Sequence, residues 1–475
     1  MTRMAPRDAT MFWLSRRSAN DVFLLYVFAE TATATGELRA FVAARSARIP
    51  DLRIRVQEIP GDLDYPRWAP AEFTPQQFVT HPADGPAWHT VLDRIGELLG
   101  TGVTATEHPW RLHVFRGVRG APRSTGPALV AVLQVSHALA DGTRAAAIAR
   151  ALFGPDEVVH SNSPRPVDNS SIPRSRPAKI LAQAVDSCGQ ICGWTRTGWP
   201  ASVLGALRFP QQVIKTTRRG RAAHLAQRAL ADRTAAGEVP TAAPGFTPGP
   251  LNPATTVAAD GHRVRLLVVD SADLRIPGHT VTLVALTAIS VALASYLAER
   301  GAAPTRLGAA LPMAVPADGP ARNNYRGLSI DLHIDEPDLR TRAALIADDL
   351  AARRERALNP LQAVRNRVGE TVPAVFAVRD VANADLDTVP PEIDGNTVVS
   401  SVNRGAADLA FAGAPVLFTG GFPALGTVMH LTHGVHGIGE TVTLSVHSDL
   451  AAVPDQDRYL ALLTESLTTV IAALR

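Results

Sequence analysis

The stretch Ala128–Leu152, A-L-V-A-V-L-Q-V-S-H-A-L-A-D-G-T-R-A-A-A-I-A-R-A-L, decides how the rest of the chain is read. Its first part, Ala128 to Val135, is an apolar, valine-rich run of the length of a buried strand. From Thr143 onward the residues are strong helix formers. Between the two stands a polar cluster, Ser136 to Gly142. Placing polar groups at such a junction is costly unless they are hydrogen-bonded or used. His137, Asp141 and Gly142 point to general base catalysis. A histidine anchored at the end of a core strand keeps its ring aimed into a cleft. Its ordinary pKa of about 6.5 leaves it mostly neutral at neutral pH, able to take a proton from a hydroxyl or thiol. Asp141 locks the loop by accepting backbone hydrogen bonds or by pairing with an arginine elsewhere. Gly142 lets the chain turn into the helix. On these residues alone, H-x-x-x-D-G reads equally well as a buried structural histidine followed by an ordinary turn.

Outward from this stretch, Val22 to Phe28 reads as a core strand and Glu37 to Ser46 as a helix ended by Pro50. Leu52 to Ile59 alternates strictly, as a strand with one wet face does; Trp88 to Leu99 is an amphipathic helix, and Arg111 to Val118 a strand. The order is that of a mixed α/β layered domain. The second half repeats it. Strands are expected at Val264–Val269, Arg306–Val315, Thr397–Val402, Pro415–Thr419, Val428–Val435 and Thr441–Val446. Helices are expected at Val281–Leu297, Leu339–Ala357 and Asp455–Leu474. Two halves with one H-x-x-x-D-G imply a single site between two lobes. The expected division is 1–177 for the first lobe, 178–249 for a crossover, and 250–475 for the second lobe.

The chain has 475 residues, 46% of them hydrophobic, 19% charged, with a net charge of +3. That balance is globular and gives no basis for nucleic-acid binding. Lys179 and Lys215 are the only lysines. Cys188 and Cys192 make neither a disulfide framework nor a metal pattern. His430, His433, His436 and His447 do not converge on a metal if they lie on strands, so no metal is expected. The start of the chain lacks an apolar core of signal-peptide type, and the longest apolar run, Val281 to Ala294, is too short to span a bilayer. With only two cysteines, a reducing cytoplasm fits and a cytoplasmic location is expected. From Ser187 to Ala231 there is no acidic residue; Arg196, Arg208, Lys215, Arg218, Arg219, Arg221 and Arg228 are interleaved with Trp194, Trp199 and aliphatic residues. This is the composition of an element lying on a membrane surface, or of a crossover helix between lobes. There is no G-x-S-x-G, P-loop or G-x-G-x-x-G, which removes the serine hydrolase, kinase and dehydrogenase readings.

Several stretches, taken together, resemble the bacterial wax ester synthase/diacylglycerol acyltransferase family of coenzyme A-dependent acyltransferases. They are M-A-P-R-D-A-T-M-F-W-L at the start, His108-Pro109-Trp110, S-H-A-L-A-D-G, Pro250-Leu251-Asn252, and S-S-V-N-R-G at 400–405 followed by A-F-A-G-A-P-V. The resemblance implies an α/β fold of two chloramphenicol acetyltransferase-like lobes, with mixed sheets and the active site at their interface. It makes His137 the catalytic base, with Ser136, Asp141 and Gly142 supporting the motif. Ser136 stands where the family has a first histidine. Thr282-Leu283 stands where the family has Asn-Asp, and Ser401 replaces the asparagine of S-N-V-P-G-P; Thr282 and Ser401 are the candidate substrate-binding residues. The implied reaction passes an acyl group from acyl-coenzyme A, a co-substrate with no further cofactor, to a lipid hydroxyl. Diacylglycerol giving triacylglycerol is expected first; a fatty alcohol, another lipid hydroxyl, or a non-catalytic lipid-binding role are the alternatives. A lipid acceptor implies a peripheral position on the inner face of the plasma membrane or on a lipid-droplet surface.

Overall fold

The computed structural model describes residues 1–81, 85–155, 199–254, 257–317 and 319–475. The expected linker Val158–Pro177, Cys188, Cys192, Trp194 and Arg196 lie outside them. In chain order the strands are β1 (Thr2–Arg3), β2 (Val22–Ala29), β3 (Ile54–Gln57), β4 (Arg67–Pro70), β5 (Phe78–Thr80), β6 (Trp110–Val118) and β7 (Ala128–Val135). Then follow β8 (His262–Asp270), β9 (Gly308–Ala314), β10 (Tyr325–Asp331), β11 (Thr397–Asn403), β12 (Ala410–Phe411), β13 (Ala414–Phe422), β14 (Leu431–Ile438) and β15 (Thr441–Asp449). They form two six-stranded mixed sheets, ordered β12-β13-β2-β7-β6-β5 and β10-β9-β11-β14-β15-β8, and a small sheet β1-β4-β3.

The apolar runs are explained by burial on both faces. In β7, Leu129, Ala131, Leu133 and Val135 pack into the first lobe's own core, beneath the helices Thr35–Ser46 and Gly142–Phe153. The alternate residues Ala128, Val130 and Val132 enter a second core, shared between the lobes. β2 divides in the same way, with Leu24, Tyr26 and Phe28 on one side and Phe23, Leu25 and Val27 on the other. The shared core is closed by the helix Trp88–Leu99, which lies on β8 of the second sheet. A Cβ at Gly96 would stand 2.6 Å from the His262 carbonyl oxygen, so glycine permits this approach.

The second lobe's core surrounds the helix Val281–Glu299. This helix extends past the apolar run seen in the sequence and is, by length and composition, long and apolar enough to cross a membrane. Two-thirds of its most apolar window is buried inside the fold, against the helix Gln456–Leu474 among others. Tyr296 and Tyr459 meet there with ring centres 5.4 Å apart.

The structure differs from the sequence reading in several places. Leu52 to Ile59 is not one strand: Pro50–Arg53 forms a 3-10 turn, favoured by proline's fixed φ at its first position, and only Ile54–Gln57 is extended. Val428–Val435 is displaced to Leu431–Ile438, because the His430 N–H is taken by the Leu251 carbonyl. The edge strand β10 and the helix Pro6–Leu14 escaped the sequence reading altogether. The strand expected at Pro415–Thr419 is present as β13 but pairs antiparallel with β2, so the second half of the chain completes the first lobe's sheet.

Candidate active site

β7 ends at Val135, and the chain turns at once. The Ser136 N–H donates to the Pro109 carbonyl, and the Ser136 carbonyl accepts from Leu139 and Ala140. The helix Gly142–Phe153 begins on Asp141, whose Oδ1 accepts the Arg144 N–H at 2.8 Å. Asp141 Oδ2 accepts the Asn324 N–H at 2.7 Å. Of the two roles the sequence allowed for Asp141, the structure chooses backbone hydrogen bonds. The arginines go elsewhere: Arg144 and Arg322 both grip Asp51, at 2.8 and 2.6 Å. Burial pushes the Asp51 carboxyl up, but the two guanidiniums outweigh it and hold its pKa below the usual value.

His137 faces a cavity of about 370 Å³ between the lobes. Its Nδ1 lies 2.9 Å from Asn323 Oδ1. The Asn323 amide nitrogen donates to the His137 carbonyl at 2.8 Å and to Asp8 Oδ1 at 3.0 Å. Both of those partners are acceptors, which assigns the orientation of the amide. Asn323 Oδ1 must then accept, so Nδ1 carries the ring proton and Nε2 keeps a lone pair. Asp8 in turn is buried and takes the backbone N–H groups of Arg322 and Asn323. Burial raises the Asp8 pKa against the pull of these donors. Burial also lowers the His137 pKa, opposed by hydrogen bonds from the ring to its own carbonyl and to Asn323. The imidazole is therefore neutral at neutral pH, as a general base must be.

Gly142, Tyr325, Ser401, Asp21, Arg404 and His436 share the cavity wall with His137. Burial raises the Tyr325 pKa, so its hydroxyl stays a donor. Asp21 is pushed up to about 6 by burial, despite accepting from the Val103 N–H and the Gln134 amide, each at 2.8 Å. Thr282 Oγ1 lies 2.7 Å from Ser401 Oγ, so the two candidate substrate-binding residues touch each other, and Ser401 carries the pair to the cavity. Ser136 is buried and stands off the wall. Of the four C-terminal histidines only His436 reaches the cavity. His433 turns to the other face and meets the Tyr459 hydroxyl at 2.6 Å, and His430 pairs with Asp449 at 2.8 Å. Among the described residues no group of side chains is arranged to hold a metal ion.

Sequence reasoning missed Asn323, Asp8, Tyr325, Asp21 and Arg404. Asp8 and Arg404 lie inside quoted motifs, yet nothing local marks a polar residue as buried. Asn323-Asn324 sits between Pro320 and Tyr325 in a loop that looks unremarkable without its partner across the interface.

Three comparisons bear on this site. The family model for the wax ester synthase/diacylglycerol acyltransferase catalytic domain matches residues 4–267. No curated protein sequence matches the chain. Among solved structures, the wax ester synthase/diacylglycerol acyltransferase from Marinobacter aquaeolei VT8 superposes with a TM-score of 0.58 at 15% identity, covering 99% of this chain and 98% of that one. The starter condensation domain of rhizomide synthetase, solved with C8-CoA and Leu-SNAC, gives 0.54 at 12% identity over 100% and 94%. Trichothecene 15-O-acetyltransferase from Fusarium sporotrichioides gives 0.53 at 14% identity over 100% and 95%. At these identities the likeness is one of fold, the two-lobe architecture of coenzyme A-dependent acyltransferases.

Proposed function

The chain belongs to the wax ester synthase/diacylglycerol acyltransferase family, and from that premise we propose that it is an acyl-coenzyme A-dependent O-acyltransferase acting on a lipid hydroxyl, with His137 as its general base. The observation that carries the reading is the hydrogen-bonded line Asp8–Asn323–His137, which leaves Nε2 free on the wall of an interlobe cavity. Nε2 removes the proton of the acceptor hydroxyl as its oxygen attacks the thioester carbonyl. The tetrahedral intermediate collapses, the C–S bond breaks, and the imidazolium returns the proton to the departing thiolate. A positioned base of this kind contributes about 10²–10⁴-fold. Asp141 holds the loop and takes no part in proton transfer. Ser401, with Thr282 behind it, lies where substrate would pass. The domain division at 1–177, 178–249 and 250–475 is kept as a proposal, with the reservation of β13 for the first sheet.

Diacylglycerol, giving triacylglycerol, is the acceptor proposed first, and a fatty alcohol giving a wax ester the next. The observation favouring another lipid hydroxyl is Arg404 on the cavity wall. Acyl-coenzyme A serves as co-substrate. Access to a lipid acceptor is supported by the helix Trp199–Ala235, which leaves Val213, Ile214 and Leu225 exposed beside Lys215, Arg218 and Arg221. We assign it to the surface of an anionic membrane, at the cytoplasmic face or on a lipid droplet.

The test is incubation of purified protein with labelled acyl-coenzyme A and a panel of diacylglycerol, fatty alcohols and other lipid hydroxyls. Labelled ester should form with the unmodified protein and be lost in His137→Ala, with melting unchanged. An active, equally stable His137→Ala variant would remove His137 from the chemistry.

A further inference from the structure

Arg404 is out of place as a structural residue. It is 6% exposed, yet it makes no ion pair with a carboxylate among the described residues. Nη1 donates to the Thr419 hydroxyl, the guanidinium carbon lies 5.1 Å from the centre of the Tyr26 ring, and the neutral Tyr26 side chain also hydrogen-bonds the guanidinium. Nε has no hydrogen-bond partner at all. Arginine keeps its proton in proteins, so a full cation stands buried without a counter-charge, which is costly.

The surroundings are arranged to keep it there. His436, also buried on the cavity wall, has an unpartnered Nδ1. Glycine makes room for both: a Cβ on Gly421 would lie 2.8 Å from Arg404 Nη2 and 2.9 Å from His436 Cε1. The carboxylates on the same wall are engaged elsewhere. Asp141 spends one oxygen on Arg144 N–H and the other on Asn324 N–H, and Asp21 Oδ2 takes two donors. None of them neutralises Arg404.

We propose that Arg404, with His436 beside it, receives a carboxylate carried by the acceptor, so that the hydroxyl acylated in this cavity belongs to an anionic lipid such as a hydroxy fatty acid. A guanidinium fork matches a carboxylate in shape and charge, and a buried fork discriminates strongly against a neutral ester. The inference rests on the cavity being the acyl-transfer site; it moves the acceptor from the neutral diacylglycerol and fatty alcohols to the other lipid hydroxyls and leaves the role of His137 as it stands.

The experiment compares ω-hydroxypalmitate with its methyl ester as acceptors for palmitoyl-coenzyme A. The unmodified protein should prefer the acid in kcat/KM by about 10- to 100-fold, the value of a charged hydrogen bond. Arg404→Gln should lose at least about tenfold more on the acid than on the ester, and Arg404→Lys should restore part of the difference. If the unmodified protein shows no preference for the acid, the proposal is overturned, whether or not any variant folds. Palmitoyl-N-acetylcysteamine, which lacks the phosphates of coenzyme A, separates the two sources of negative charge. Discrimination should persist with it; should the Arg404→Gln defect appear only with the coenzyme A donor, Arg404 reads the donor's phosphates and the proposal fails. A binding measurement is independent of turnover: ω-hydroxypalmitate should raise the melting temperature of the unmodified protein and of His137→Ala more than the methyl ester does, and Arg404→Gln should abolish that difference. Equal shifts by acid and ester overturn the inference while leaving acyl transfer intact. Loss of acyl transfer to every acceptor, with the acid-specific shift retained, overturns the enzymatic reading while leaving the anion site.

Discussion

Asn323→Leu tests whether the base is held by its partner across the lobe interface. The substitution keeps the side chain's bulk and removes its three hydrogen bonds, to His137 Nδ1 at 2.9 Å, to the His137 carbonyl at 2.8 Å and to Asp8 at 3.0 Å. At a net value of about 1 kcal/mol each, stability should fall by about 2–4 kcal/mol. Asp8 is not stranded, because the backbone N–H groups of Arg322 and Asn323 still reach it. The effect on catalysis is of a different kind. Without Oδ1 the Nδ1 proton keeps only the residue's own carbonyl as a partner, so the ring places its proton on Nε2, or swings, more readily, and either removes the lone pair from the cavity. Turnover should fall by at least about tenfold, with a ceiling at the 10²–10⁴-fold that the base itself contributes. KM should change little, since Asn323 touches the histidine and does not line the cavity. Urea unfolding gives the stability change, and release of free coenzyme A with saturating acceptor gives kcat. A folded Asn323→Leu protein whose kcat lies within about threefold of the unmodified value would refute the tautomer argument.

Three further outcomes are expected. Asp141→Asn should lower stability by about 1–2 kcal/mol, because it weakens a helix cap and a hydrogen bond to Asn324 without breaking an ion pair; a fall in turnover with unchanged unfolding would move Asp141 into the chemistry. Asp21, pushed up to about 6 by burial, binds more protons folded than unfolded between about pH 4 and 6, so its contribution to stability declines as pH rises through that window, by about 3 kcal/mol in all. Asp21→Asn should therefore gain on the unmodified protein at pH 8 relative to pH 4, and parallel stability-versus-pH curves would contradict this. Charge reversal at Arg218 and Arg221, both exposed, should weaken flotation with anionic vesicles by about 1 kcal/mol or more per site, and salt should weaken it in the unmodified protein. Arg219 is left alone because it pairs with Glu370 at 3.0 Å; absence of vesicle binding at low salt would make this helix purely a strut between segments.

Much of the site's framework was legible in the chain itself. An apolar run followed by a polar turn and a helix-forming stretch has few solutions, and β7 with its capped helix is the expected one. Hydrophobic periodicity is a local property, so it located most strands and helices within a few residues. It erred where a competing local rule acted, as with Pro50, or where a strand lies at a sheet edge with weak alternation, as with β10. His137 as the proposed base, with Asp141 and Gly142 beside it, also follows from local sequence joined to family resemblance.

What the tertiary structure decided is every relation between distant residues. The pairing of β13 with β2, across nearly four hundred residues, depends on which exposed edge buries the most apolar surface, and no window of sequence contains that comparison. Asp8, Asn323 and His137 come from three separate segments, and their polarity signals nothing until folding takes them out of water together. Arg404 is one arginine among many in the chain; only its enclosure beside His436, with the nearby carboxylates already occupied, separates it from the rest. Secondary structure is set by neighbours along the chain, whereas charge, proton position and pocket chemistry are set by the dielectric and the partners that the completed fold supplies.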